Sequence, residues 1–321
     1  MAHLVDSLSY SGQTPWHGLG RRLPSNVTGE DMIRFAGLDW EVIPRPLTAD
    51  MPDGSLAPVA GHIALTRSDR NTVLSVVSDR YGIIQNREAL TLLDAAVGEG
   101  SAVYHVAGSL DEGRQVFLLA EVATPGHTWT VKGEEMKPYL LLSTGHDATR
   151  ALTCMFTAVR VVCNNTLSVA LSDDASPRLS IRHTKNAAER VRQAAHVIAQ
   201  ARTYFRGFSE RALALAAQEL TTSRARELTD ALFPAVKVDG KLTVTPGVEK
   251  ARAKVVALFD RQGDSTDRRI AGTAWGYFNA VAAYTDHNVN RRGGDDGRMR
   301  AILLDGQAQG IKQRALELLA A

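Results

Sequence analysis

The stretch 102-AVYHVAGSLDEGRQVFLLAEV-122 decides the fold. Residues 102–107 and 114–122 are apolar runs, and the polar insert GSLDEG at 108–113 separates them with a glycine at each end. Two such runs joined by a short Gly-containing loop read as a hairpin, and hairpins build antiparallel sheets. Upstream, 40–46 (WEVIPRP) is extended and DMPDGS at 50–55 is a turn cluster with an Asp-Gly pair. Runs at 58–66 and 72–78 flank RSDRN at 67–71, which predicts a meander of short strands. Between meander and hairpin, Leu90, Leu92, Leu93, Ala96 and Val97 fit an amphipathic helix over 87–97, with Asn86 as its expected N-cap. Downstream, turns at Pro125-Gly126 and Lys132-Gly133 precede strands at 139–143 and 150–157.

After Arg182 the pattern changes from period two to helical spacing. Asn186 and Glu189 stand as in a capping box, and Val191, Ala195, Ile198, Phe205 and Phe208 follow at helical intervals. Further helices are predicted at 223–232, 248–262, 272–285 and 311–319. Residues 234–246 hold a candidate hairpin, and DHNVNRRGGDDGR at 286–298 is a polar break. The fold class is therefore α+β: an antiparallel β-sheet body with a packed helix over residues 1–184, then a helical C-terminal region over 185–321.

Of the 321 residues, 44% are hydrophobic and 22% charged, which excludes a disordered chain, a collagen-like fibre and a coiled-coil rod. Two cysteines exclude a disulfide scaffold. No apolar run approaches the roughly 20 residues that span a bilayer. Residues 1–12 carry Asp6 and no basic cluster before an apolar stretch, so no signal peptide and no membrane partner are expected, and the expected location is cytoplasmic. Charge is split along the chain. Residues 1–150 hold 12 Lys+Arg against 18 Asp+Glu, whereas 151–321 hold 25 against 17. Such polarity suits an anionic partner, self-association of unlike ends, or a solvated helical surface.

GxGxxG and GxxxxGK[ST] are absent, and the Gly-rich 291–297 segment has no strand before it, so a P-loop ATPase or Rossmann oxidoreductase is not expected. Cys154 and Cys163 show no CxxC spacing and read as buried thiols. No GxSxG elbow occurs, and the pairs Glu134-Glu135, Asp173-Asp174 and Asp295-Asp296 read as solvated loop charge. No catalytic set, metal site or cofactor is expected.

The basic segments carry more information. A helix over 160–171 would set Arg160 and Asn164 one turn apart, with Asn165 beside them, where a guanidinium and an amide can hold a phosphate oxygen. The alternative for Arg160 is a buried side chain held by a carboxylate. Arg178, Arg182, Lys185, Arg190 and Arg192 accumulate with Glu189 alone opposing them. An extended 178–183 would point Arg178 and Arg182 the same way. Trp16 and Tyr81 stand beside turns and are the candidates for stacking a base, whereas Phe205 and Phe208 read as core.

TPWHGLG (14–20), SDRYGIIQN (78–86), VRVVCNNTL (159–167), RHT (182–184) and GTAWGYFNAVAAYTDH (272–287) occur in this order. Together they resemble the domain-of-unknown-function family 932, a group of phage- and plasmid-borne bacterial proteins, from Pro15 to about Leu319. The resemblance implies a role in DNA metabolism. By architecture alone, a small sheet with a helix followed by helices and basic segments is also similar to single-strand annealing proteins of the RecT and Red-beta type. The expected function is a non-enzymatic protein that binds and anneals single-stranded DNA in recombination or replication. Its expected contacts are Tyr81, Arg160, Asn164, Asn165, Arg178, Arg182, Lys185 and Arg190, lining a groove between sheet and first long helix. Packing of acidic against basic halves implies a homo-oligomer, a ring or filament. The rival expectations are an interaction protein that modulates a host factor, and a metal-dependent nuclease using His146, Asp147, Asp286 and His287.

Overall fold

A computed structural model of the chain describes residues 5–11, 20–24, 27–97, 102–122, 129–160, 166–167, 178–187, 189–191, 201–264, 268–289 and 307–320. The chain divides into two compact units. The first comprises Met1–Thr124, Tyr139–Phe156 and Arg178–Ala201; the second comprises Pro125–Pro138, Thr157–Pro177 and Arg202–Ala321.

The expected hairpin lies at the heart of the first unit. β6 (Ala102–Leu110) and β7 (Gln115–Val122) pair antiparallel, from Ala102 opposite Val122 to Leu110 opposite Gln115. The connection is tighter than the sequence suggested, a three-residue turn over Asp111–Gly113 with positive φ at each residue, 53°, 59° and 97°. Gly108 belongs to the strand. A β-carbon there would stand 2.4 Å from the Ser7 carbonyl, so the glycine admits the neighbouring strand β1 (Val5–Ser11). β1 pairs antiparallel with β6 and parallel with β2 (Arg21–Leu23). On the other side β7 pairs with β9 (Glu134–Gly145), which neighbours β10 (Leu152–Arg160). β12 (Arg178–Ile181) pairs with the start of β10.

The predicted meander is a second sheet of three antiparallel strands, β3 (Val42–Asp50), β4 (Leu56–Arg67) and β5 (Val73–Ser78). Helices α1 (Gly29–Phe35) and α2 (Asn86–Val97) pack on each other and on β6. α1 is capped by Thr28, whose Oγ1 accepts from the Asp31 amide at 3.1 Å. In α2 the expected cap is corrected by one residue. The Gln85 amide donates to Glu88 Oε2 at 2.9 Å, half of a capping box, while the Asn86 side chain turns inward. Met32, Ile33, Leu38, Leu65, Leu93, Phe117 and Leu142 are buried in this unit.

In the second unit β8 (Trp129–Val131) pairs with the first residues of β9 across Lys132 and Gly133. Both turn residues have positive φ, 51° and 78°, the backbone of a type I′ turn. Of the expected helix over 160–171, the described residues 160, 166 and 167 are strand, and the rest lie outside the described residues. β10 runs as a strand through Arg160, and β11 (Thr166–Leu167) returns antiparallel, Thr166 opposite Val159. Thr153, Phe156, Thr157 and Val159 in the run LTCMFTAVR are β-branched or aromatic, types that favour strand. Glu134, expected as solvated loop charge, is buried at the start of β9.

The helices of this unit are α3 (Ala201–Ala217), α4 (Thr222–Leu232), α5 (Pro246–Asp260), α6 (Ala274–Ala283) and α7 (Gln307–Ala320). Thr221, Thr245 and Thr273 cap α4, α5 and α6 through their hydroxyls, and Pro246 opens α5 where no amide donor is needed. α6 is apolar all round and nearly every residue of it is buried, so it forms the centre against which α5 and α7 pack. Phe208 meets Trp275 edge-on at 6.1 Å, confirming Phe208 as core. β13 (Val236–Val238) and β14 (Lys241–Thr243) form the expected hairpin within 234–246. Among the described residues, no helix is long and apolar enough to cross a membrane.

Candidate functional site

Three segments that are far apart in sequence meet in the first unit: 78–86, 144–147 and 182–184. The turn after β5 places Tyr81 flat against His183, ring centroids 4.9 Å apart and planes 6° from parallel. Tyr81 Oη donates to the Gly145 carbonyl at 3.0 Å. The Gly82 amide donates to the His183 carbonyl at 3.2 Å, and His183 Nδ1 lies 3.1 Å from the Gly82 carbonyl. A carbonyl accepts and cannot donate, so Nδ1 carries the proton. Nε2 of the neutral ring then accepts from Thr144 Oγ1 at 3.3 Å. Gly82 is required here because a β-carbon would fall 1.8 Å from the Thr184 carbonyl oxygen. Burial lowers the His183 pKa below its ordinary value, more than the Gly82 carbonyl raises it.

His146 lies deeper, 1% exposed. Its Nε2 is 3.0 Å from Asn86 Oδ1, and Asn86 Nδ2 donates to the Leu38 carbonyl at 2.9 Å. With the amide nitrogen so committed, Oδ1 is the acceptor and His146 Nε2 the donor. Trp40 meets the imidazole edge-on at 5.4 Å. Burial pushes the His146 pKa down to about 3, assisted by repulsion from His183. The folded ring thus stays neutral while the unfolded ring titrates near its ordinary 6.5. Protons then bind the unfolded chain first as pH falls, and stability drops by about 1.4 kcal/mol per pH unit between roughly pH 6 and 4. Urea titrations across that window, read by amide exchange in 139–147, check this; a flat profile contradicts it.

Behind Trp40 sits a buried ionic network. The Arg67 guanidinium lies over the indole at 4.4 Å and is 1% exposed. Nη1 donates to Asp6 Oδ2 at 2.6 Å and to the Glu112 carbonyl at 2.9 Å. Nε and Nη2 grip both oxygens of Asp69 at 3.0 and 2.8 Å. Arg70 adds a 2.6 Å bond to Asp6 Oδ1. Burial alone would raise the Asp6 carboxyl, but the two arginines outweigh it and hold it below its ordinary range.

The exposed side chains of these segments carry both signs, Arg80, Arg182, Lys185 and Arg190 beside Asp79 and Glu189. Arg80, Arg182, Lys185 and Arg190 are exposed, and none of them is held by a carboxylate among the described residues. Arg80 and Arg182 each adjoin a member of the Tyr81–His183 stack. Of the expected contacts, Tyr81 therefore lies with Arg182. One face of its ring is covered by His183, and its hydroxyl is engaged. Arg178 stands opposite Met155 in the β10–β12 ladder, its side chain outside the described residues. Arg160 ends β10 as a strand residue, and Asn164 and Asn165 lie outside the described residues. Trp16 and Cys163 also lie outside them. His183, Gly82 and Asn86 are the residues sequence reasoning undervalued as a set, although each sits inside one of the quoted motifs.

For the nuclease expectation, three of the four side chains are engaged elsewhere, and His287 lies in the turn Tyr284–Asn288 that ends α6. His146 bonds Asn86, and Asp286 Oδ1 accepts from Lys312 at 2.7 Å inside the second unit. Asp147 Oδ1 closes a turn with the Thr149 amide and hydroxyl at 3.0 and 2.6 Å. Among the described residues, no three or more His, Cys, Asp or Glu side chains are grouped to hold a metal. Cys154 is buried and its thiol is pushed up to about 12, so it is not a thiolate nucleophile near neutrality.

Neither a search of curated proteins nor a search of solved structures returns a match. One family model matches residues 73–303, which span the Tyr81–His146–His183 cluster and most of the helical unit. Its description is "Domain of unknown function (DUF932)", and with most of the chain covered, the protein belongs to that family.

Proposed function

We propose that the protein binds single-stranded DNA without catalysing a reaction, and promotes strand annealing in recombination or replication of a phage or plasmid. The observation that carries this reading is the set Arg80, Arg182, Lys185 and Arg190, exposed and without a carboxylate partner among the described residues. Cations left unneutralised on one region attract a polyanion through counterion release, with no need to read sequence. In this reading the neutral Tyr81–His183 stack is a rigid mount that orients the segment bearing Arg182 and Lys185. Arg178 extends the same stretch along β12. Homo-oligomerisation into a ring or filament, with strands held extended and base edges free, belongs to the same proposal.

The test is fluorescence anisotropy with a labelled oligonucleotide and the variant Arg182→Glu/Lys185→Glu. Two lost phosphate contacts are expected to weaken binding at least tenfold and to flatten the salt dependence by roughly 1.4 in log–log slope, at about 0.7 per contact. Unchanged affinity overturns the assignment of these residues.

A second reading, a protein-interaction module, is favoured by the outer part of the β3–β4 ribbon. Met51, Leu56 and Val59 there are 43%, 64% and 38% exposed. That reading predicts no DNA affinity even at low salt, so the same titration separates the two.

A further inference from the structure

The β13–β14 hairpin joins α4 to α5 in the second unit. Its turn residues Asp239 and Gly240 have φ of 49° and 82°, which suits a tight I′ hairpin, and nothing lies within 4 Å of a β-carbon built on Gly240. The pairing sets Lys237 opposite Leu242, and Val238 opposite Lys241. Cross-strand partners share a face and successive residues alternate, so Lys237 and Leu242 occupy one face while Val236, Lys241 and Thr243 occupy the other. Both faces are open to solvent. Leu242, Val244 and Val236 are 79%, 45% and 42% exposed, and both lysines are exposed without a carboxylate partner among the described residues.

A ribbon this small has no core of its own, and aliphatic side chains so exposed do not stabilise it. Its charge indicates what it meets. The cations stand on opposite faces, an arrangement that suits a polyanion passing on each side of the ribbon. A duplex groove has that shape, with a phosphate backbone along each wall. The major groove of B-form DNA, about 12 Å wide and about 8.5 Å deep, admits a two-stranded ribbon. Three residues per strand extend about 10 Å, enough to reach its floor. There Leu242 and Val236 can meet thymine methyl groups, and the Asp239 carboxylate can accept from cytosine amino groups. The larger β3–β4 ribbon is different. Its outer part carries Asp50 and Asp53 against Arg45 and no lysine, so charge does not direct it to a polyanion.

We infer that the β13–β14 hairpin is a second nucleic-acid contact, one that enters the major groove of double-stranded DNA. This inference rests on the nucleic-acid reading above and extends it from single strands to a duplex.

The test uses the full chain and three labelled probes of equal length: a single strand, a DNA duplex and an RNA duplex. The variant Lys237→Glu/Lys241→Glu changes two solvent-exposed side chains, and its circular dichroism is expected to match the parent. Leu242→Ser is a second variant that keeps the charge. The expected result is duplex DNA binding weakened at least tenfold by the lysine pair and severalfold by Leu242→Ser. Single-strand affinity is expected to stay within about twofold. A-form RNA has a deep, narrow major groove, so neither variant is expected to change binding to duplex RNA. Parent protein that binds single strands but not duplex overturns the inference and leaves the single-strand reading standing. Duplex affinity unchanged in both variants does the same. Ribbon-dependent duplex binding with no single-strand affinity upholds the inference and overturns that reading. No binding to any probe overturns both.

Discussion

Arg67→Met will destabilise the first unit by about 3–5 kcal/mol, because removing one partner of a buried ion pair strands the other. Arg67 is 1% exposed, and the Asp6 side chain it holds is 9% exposed. The substitution leaves Asp6 with the exposed Arg70 and the Ser109 hydroxyl, takes the Arg67 guanidinium from both oxygens of Asp69, frees the Glu112 carbonyl and uncovers one face of Trp40. Arg67→Lys will not restore the loss, since an ammonium cannot grip Asp69 with two nitrogens, reach Asp6 and lie flat on an indole together. Amide exchange at β4 and β6 under native conditions reads the effect in the unit concerned, which is preferable to one global midpoint in a two-unit chain. A loss below about 1 kcal/mol would place Arg67 among ordinary surface pairs and contradict the network.

The corresponding prediction for the second unit concerns Lys312 on α7. Its Nζ donates to Asp286 Oδ1 at 2.7 Å, with side chains 0% and 1% exposed. Asp286 sits in the π-type turn Tyr284–Asn288 that ends α6, and Thr285 Oγ1 lies 3.2 Å from the same carboxylate oxygen. Burial lowers the Lys312 pKa, and Asp286 offsets part of that cost. Lys312→Met alone is expected to cost about 3–5 kcal/mol, by leaving a buried carboxylate without its cation. The double variant Lys312→Met/Asp286→Leu is expected to recover most of that loss, because an apolar pair of similar volume carries no desolvation penalty. A double-mutant cycle by urea denaturation measures the coupling. A double variant no more stable than the single one would show that the pair is not the stabilising unit.

Most of the fold was legible where local pattern and tertiary role agree. The 102–122 hairpin and the 42–78 meander show as strand runs between turn clusters, helices α4, α5 and α7 as amphipathic spacing, and α6 as a segment apolar all round. β1 was not legible, and its reason is specific. Its inward positions include Ser9 and Ser11, 1% and 2% exposed, rather than aliphatic residues. Ser9 Oγ donates to the Phe35 carbonyl and Ser11 Oγ to the Pro24 carbonyl, both at 2.9 Å. A strand that buries hydroxyls shows no apolar alternation. The 160–171 region failed for the opposite reason. Its apolar residues satisfy either period, and at the described Thr166 and Leu167 pairing with Val159 and Ala158 makes a strand.

The candidate site was legible in its parts and not in its assembly. Tyr81, Arg182 and Lys185 were distinguishable by composition and by their place beside turns. The pairing of His183 with Gly82 spans 101 residues, and that of His146 with Asn86 spans 60. No local periodicity encodes contacts at such separations. The cue that was present is Gly82 itself, whose missing side chain lets the Thr184 backbone approach.

The central claim is that unneutralised cations around the Tyr81–His183 stack grip a polyanion, and the salt dependence of single-strand binding tests it most directly. Four phosphate contacts, by Arg80, Arg182, Lys185 and Arg190, give a log–log slope near −2.8, so affinity is expected to fall on the order of 50-fold between about 50 and 200 mM monovalent salt. An affinity that holds constant across that range, or no binding at the lower salt, would contradict the account.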